Sequence, residues 1–86
     1  MNANQKPSSP SPAGRAVPID VRGLPPPEPM QHIMDALDLL ARGDVLHVAM
    51  DREPHPLFGI LDRDGYTHQG EWTDDGYALR IWQAAA

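Results

Sequence analysis

The segment Asp20-Val21-Arg22-Gly23-Leu24-Pro25-Pro26-Pro27-Glu28-Pro29 turns one residue periodicity into another, and that switch restricts the fold more than any other feature. Before it, Val17, Ile19 and Val21 alternate with Pro18, Asp20 and Arg22, the pattern of a half-buried strand. After it, Met30, Ile33, Met34, Leu37, Leu40 and Ala41 recur at helical spacing along one face. Gly23 breaks the strand and the prolines stiffen the connection. Pro29 suits a first helical turn, where its missing N–H would have no partner, and Glu28 suits the positive end of the helix dipole. Gly43, after Arg42, supplies a stop. A β-α unit is predicted.

The same grammar then repeats. Asp44 to Met50 reads as a second strand with Leu46, Val48 and Met50 on one side and Val45, His47 and Ala49 on the other. The loop Asp51-Arg52-Glu53-Pro54-His55-Pro56 leads into a short helix carrying Leu57, Ile60 and Leu61 and ending near Asp64-Gly65. Tyr66 to Trp72 and Tyr77 to Trp82 flank Thr73-Asp74-Asp75-Gly76, a hairpin signal because Asp-Gly tolerates positive φ. The order is β-α-β-α-β-β. Right-handed crossovers put both helices on one face of a mixed four-stranded sheet, an α+β two-layer sandwich. The uncovered face would carry Asp20, Arg22, Val45, His47, Arg80 and Trp82.

Composition limits what such a domain can do. The chain has 86 residues, enough for one domain. Residues 1–15 are rich in Pro and Ser and offer too little apolar surface to offset ordering, so a disordered tail is expected there, a folded domain over 16–83 and a short tail over 84–86. The absence of cysteine excludes disulfides, thiolate metal sites and thiol catalysis by the protein alone. No run approaches the roughly 20 apolar residues of a membrane span. Residues 1–14 also lack the apolar region of a secretory signal, so a cytoplasmic protein without membrane contact is expected. The net charge of −5, with Lys6 in the tail and acids beside Arg22, Arg52 and Arg63, argues against nucleic-acid binding.

Asp20-Val21-Arg22-Gly23-Leu24, followed by Pro26-Pro27-Glu28-Pro29, an amphipathic helix, Arg42-Gly43-Asp44 and a strand ending in Met50-Asp51, resembles the TusA/SirA-like sulfur carriers over about residues 17–83. The resemblance implies the same sandwich, with a persulfide-bearing cysteine at the helix start. Pro26 stands in that cysteine's place, and a pyrrolidine ring can neither attack nor carry sulfur. Pro-Pro-Glu-Pro-Met and Asp51-Arg52-Glu53-Pro54-His55-Pro56-Leu57 are similar to a cysteine-free group known as domain of unknown function 2249.

Both strand-to-helix loops leave the C-terminal ends of their strands, the usual side for ligands in α/β arrangements. Arg22, Glu28, Asp51, Arg52 and His55 are therefore expected near two positive helix ends, able to hold a small anion or an acidic segment. Alternatively, Arg22 pairs with Asp51 or Glu28 and only pins the loops. His32, His47, His55 and His68 show neither i, i+4 nor i, i+2 spacing, so no metal site is expected. Glu28 and Asp51 are a weak acid/base pair in an acidic chain. The aromatic residues Tyr66, Trp72, Tyr77 and Trp82 read mainly as hairpin packing, with Trp82 on the bare face as a candidate interface anchor. The sequence thus points to a non-catalytic binding or adaptor domain without cofactor or metal. Its partner would be an unidentified protein or a small anion, and the chain a monomer or weak homodimer. The alternative is an accessory protein in sulfur or redox metabolism that binds a metal or small anion through His and Arg.

Overall fold

The computed structural model describes residues 14–84, so residues 1–13 of the tail expected over 1–15, and residues 85–86 of the tail expected over 84–86, lie outside it. The elements are β1 (Ala16–Asp20), α1 (Glu28–Asp38), β2 (Val45–Met50), α2 (His55–Arg63), β3 (Tyr66–Thr73) and β4 (Gly76–Gln83). The sheet is mixed, in the order β1-β2-β4-β3. β1 runs parallel to β2, and β4 runs antiparallel to both of its neighbours, β2 and β3. The protein is an α+β fold with both helices on one face, as the periodicities predicted.

The buried side chains are those the alternation assigns to the helix-covered face. Leu46, Val48 and Met50 of β2 and Tyr77, Leu79 and Ile81 of β4 meet Ile33 and Leu37 of α1 and Leu57 and Leu61 of α2. β3 contributes Tyr66 to the edge of this cluster. Tyr77 needs a glycine beside it: a Cβ on Gly70 would collide with the tyrosine ring and hydroxyl. Burial pushes the Tyr77 phenol pKa upward, and the charge of Glu53 adds to the shift.

Two local details differ from the sequence expectation. α1 stops at Asp38, well before Gly43. The N–H groups of Leu39 and Leu40 reach back only three residues, to the carbonyls of Ala36 and Leu37, each at 3.2 Å. This tighter turn tucks Leu40 into the core and leaves Leu39 84 % exposed. Gly43, at φ 92°, instead serves the turn into β2. There the buried Asp44 carboxylate accepts the backbone N–H groups of Arg15 at 3.0 Å and Ala41 at 3.3 Å, and the Arg15 guanidinium at 3.4 Å. The backbone bond from Arg15 is the main cause of its lowered pKa. In the β3–β4 hairpin, Asp74 and Asp75 keep negative φ; only Gly76, at 136°, uses the positive region.

On the bare face the side chains stand in rows across the sheet. Pro18, His47, Arg80 and Gln69 form one row, and Asp20, Ala49, Ala78 and Glu71 the next. No described helix is long and apolar enough to cross a membrane.

Candidate functional site

The two strand-to-helix loops meet at one pole of the sheet and are tied together by a single cross-loop bond. The Gly23 N–H donates to Asp51 Oδ2 at 2.8 Å. Beneath this bridge lies an apolar pocket of about 380 Å³, walled by Pro26, Pro27, Pro29, Pro54 and Pro56 and floored by Leu24, Met30, Ile33 and Met50. The Pro26–Pro27 peptide bond is cis. Each proline looks, within its own loop, like turn punctuation. Converging from two loops, the rings form a rigid apolar wall with little conformational freedom left to lose on binding.

The same prolines reduce the number of free N–H groups at the two helix starts. At α1, Pro29 has no N–H, and those of Glu28 and Gln31 are already bonded to the carbonyls of Pro25 at 2.9 Å and Pro27 at 3.1 Å. At α2, Pro56 has none, and His55 and Leu57 donate to the carbonyls of Glu53 and Pro54. Neither helix has a side-chain cap. A helix start attracts anions through its unpaired donors, and here several of those donors are missing or occupied.

The charged residues expected around this pole are present but differently paired. Arg22 bonds neither Asp51 nor Glu28. Its guanidinium grips Asp20 in a two-point contact, Nε to Oδ1 at 2.9 Å and Nη2 to Oδ2 at 2.8 Å, and its backbone N–H adds a third bond at 3.0 Å. The guanidinium bonds, then the backbone bond, lower the Asp20 pKa to about 2. They correspondingly raise that of Arg22. Asp51 is the loop bridge, Arg52 is exposed at the pocket rim, and Glu28 is exposed at the first position of α1. His55 opens α2, with its Nε2 3.7 Å from Glu53. Trp82 belongs elsewhere: β4 starts at this pole and runs away from it, so Trp82 sits toward the opposite one, with the Arg80 guanidinium 6.0 Å from its ring centre. The six candidate residues therefore do not make a single patch.

The bare sheet face holds a second hollow, an open trough of about 860 Å³. Its floor is low because Ala49 and Ala78 stand opposite each other on β2 and β4. Asp20 and Glu71 border that row, and His47 lies beside Arg80 in the next. Arg80 also donates to the side-chain oxygen of Gln69. The sequence reading placed His47 on this face but did not foresee the alanine floor, which depends on the β2–β4 register.

The remaining histidines do not converge on a metal. His68 is not a plain surface residue: its ring stacks on Phe58 at 4.7 Å, and its Nε2 lies 3.3 Å from Asp62. His55 approaches the same phenylalanine edge-on at 6.0 Å. Among the described residues no three His, Asp or Glu side chains are placed to share a metal ion.

Residues 18–83 match the profile of a family described as "Uncharacterized conserved protein (DUF2249)". The match spans most of the chain, which therefore belongs to that family. No curated protein and no solved structure matches it.

Proposed function

We propose, with membership of that family as the premise, that the domain is a non-catalytic binding module. Its loop-pole pocket takes an exposed aromatic or aliphatic side chain from an extended segment of a partner protein. The observation that carries this reading is the wall of five prolines over an apolar floor, at a place where the helix starts have few N–H groups to offer a charged ligand. Proline rings present flat apolar surface at little entropic cost, and a volume of several hundred cubic ångströms suits one large side chain. Arg52, Glu53 and Asp51 at the rim would set the orientation of the entering segment. A persulfide role has no support from the residues: Pro26 lines the pocket where a thiol would be required.

Amide chemical shifts test the reading directly. Titration with N-acetyl-tryptophanamide should move the resonances of Leu24, Met30 and Met50, and Met30→Lys should abolish the response while the core resonances stay in place. Shifts confined to the sheet face, or none at millimolar probe, would overturn it.

A second reading is favoured by the adjacency of His47 and Arg80 in the trough. An imidazole beside a guanidinium could take a small anion, the accessory role in sulfur or redox chemistry raised by the sequence. Titration with sulfate and thiosulfate should then shift the amides of His47 and Arg80 and leave the pocket unchanged. An Arg80→Ala variant that responds as strongly as the original chain removes this reading.

A further inference from the structure

The two edges of the sheet are protected unequally. β1 has five residues and carries Pro18, whereas β3 has eight with neither Pro nor Lys. Short edge strands and edge prolines are common defences against unwanted strand pairing, and β3 has neither. The hairpin partner β4 fixes which of its backbone groups are free. Ala84 N–H donates to the Gly65 carbonyl at 2.9 Å, one step beyond the Tyr66–Gln83 pair. Hydrogen-bonded pairs alternate along an antiparallel ladder. Gly65, Thr67, Gln69, Glu71 and Thr73 therefore point their backbone groups at β4. Those of Tyr66, His68, Gly70 and Trp72 point outward, and none has a backbone partner there among the described residues.

We infer that β3 is the interface of a symmetric dimer, in which the strand pairs antiparallel with β3 of a second copy about a two-fold axis at Gln69. A two-fold axis normal to the sheet keeps the helices of both copies on one side, so partners must come from the same face. In the register centred on Gln69, Tyr66 meets Trp72 of the other copy and His68 meets Gly70. All four outward residues are then paired, each pair exchanging two bonds. Slipping by two residues in either direction leaves Tyr66 or Trp72 without a strand partner.

The side chains suit this register. Trp72 is 60 % exposed on the helix side although Tyr77 holds its ring edge-on at 5.2 Å. Opposite Tyr66 of the second copy it gains an aromatic cross-strand pair. Gly70 leaves the His68 ring room to remain stacked on Phe58. On the bare face, Thr67 faces Glu71 and Gln69 faces its own copy, so no like charges are opposed. The self-complementarity of one strand is what an isologous contact requires. It favours a second copy over an unrelated peptide.

Sedimentation and amide exchange of the full chain, from micromolar to millimolar, test the proposal. The mass should double with concentration. The His68 and Gly70 amides should become protected by about tenfold or more as it does, whereas Thr67, Gln69 and Glu71 stay slow throughout. Trp72→Lys should remain monomeric. Gln69→Glu, an exposed change that keeps an acceptor for Arg80, should weaken the dimer about tenfold by opposing two carboxylates. The proposal is overturned by a monomer at every concentration, by a dimer whose His68 and Gly70 amides exchange as in the monomer, or by a Gln69→Glu chain that dimerises as tightly as the original.

Discussion

The pocket at the loop pole and the trough on the bare sheet face lie on opposite sides of β2, and they differ in what makes their walls. Met50 forms part of the pocket floor and the core at once, whereas His47 and Ala49, on the same strand, face the trough. Proline rings and buried side chains fix the shape of the pocket. The trough owes its depth to two alanines, and its walls are exposed side chains that can turn. One hollow has a rigid apolar lining and the other a lining of mobile charged side chains, and a single strand supports both.

The contrast is broken most sharply by truncating each side of β2. Met50→Ala should cost about 2–5 kcal/mol in a denaturant titration. His47→Ala should stay within about 0.5 kcal/mol of the original. Equal losses would mean that the pocket floor is not part of the core. A smaller effect is expected from Asp51→Ala, which frees the Gly23 N–H and uncouples the loops. It should lower stability by about 1 kcal/mol, speed Gly23 amide exchange and weaken tryptophanamide binding, while sulfate shifts in the trough are unaltered.

The smallest effect belongs to the trough rim. The Asp20 pKa falls from 3.8 to about 2 on folding, so the folded state binds fewer protons there than the unfolded chain. The ion pair with Arg22 therefore stabilises the protein above the ordinary carboxylate range, and its contribution fades as pH drops through that window. Asp20→Asn should melt slightly below the original chain at neutral pH and converge with it near pH 2. A gap that persists in acid would assign the effect to packing. The lowered pKa of Asp44 acts with the same sign, so Asp44→Asn should likewise flatten the acid limb.

Much of the fold was readable because alternation and helical spacing report burial locally. Leu46, Val48 and Met50 needed only their own neighbours to be assigned inward, and the strand-helix order followed. The end of α1 was not readable, because the three-residue reach of Leu39 and Leu40 depends on the core accepting Leu40. The site was legible in fragments. The sequence brought the Asp20–Pro29 and Asp51–Pro56 loops to one pole, yet it treated their prolines as stiffeners, since a wall shared by Pro26 and Pro54 exists only after folding. For Arg22 the sequence left open a ligand contact or a pairing with Asp51 or Glu28, whereas the carboxylate of Asp20, two residues away, makes a two-point contact. Trp82 was expected on the bare face, and the antiparallel course of β4, itself predicted by the hairpin, carries it toward the pole away from the loops. The edge character of β3 required the strand order, which local pattern does not contain.

β1 begins and β4 ends at the pole remote from the pocket, so both chain connections leave the domain on the side away from its proline wall. A surface or bead attached beside Gly14 or Ala84, the described ends, would hold the molecule by its base and present the opening outward. Immobilised chains should therefore keep their full capacity for a tryptophan-bearing peptide, whichever end is used as the handle.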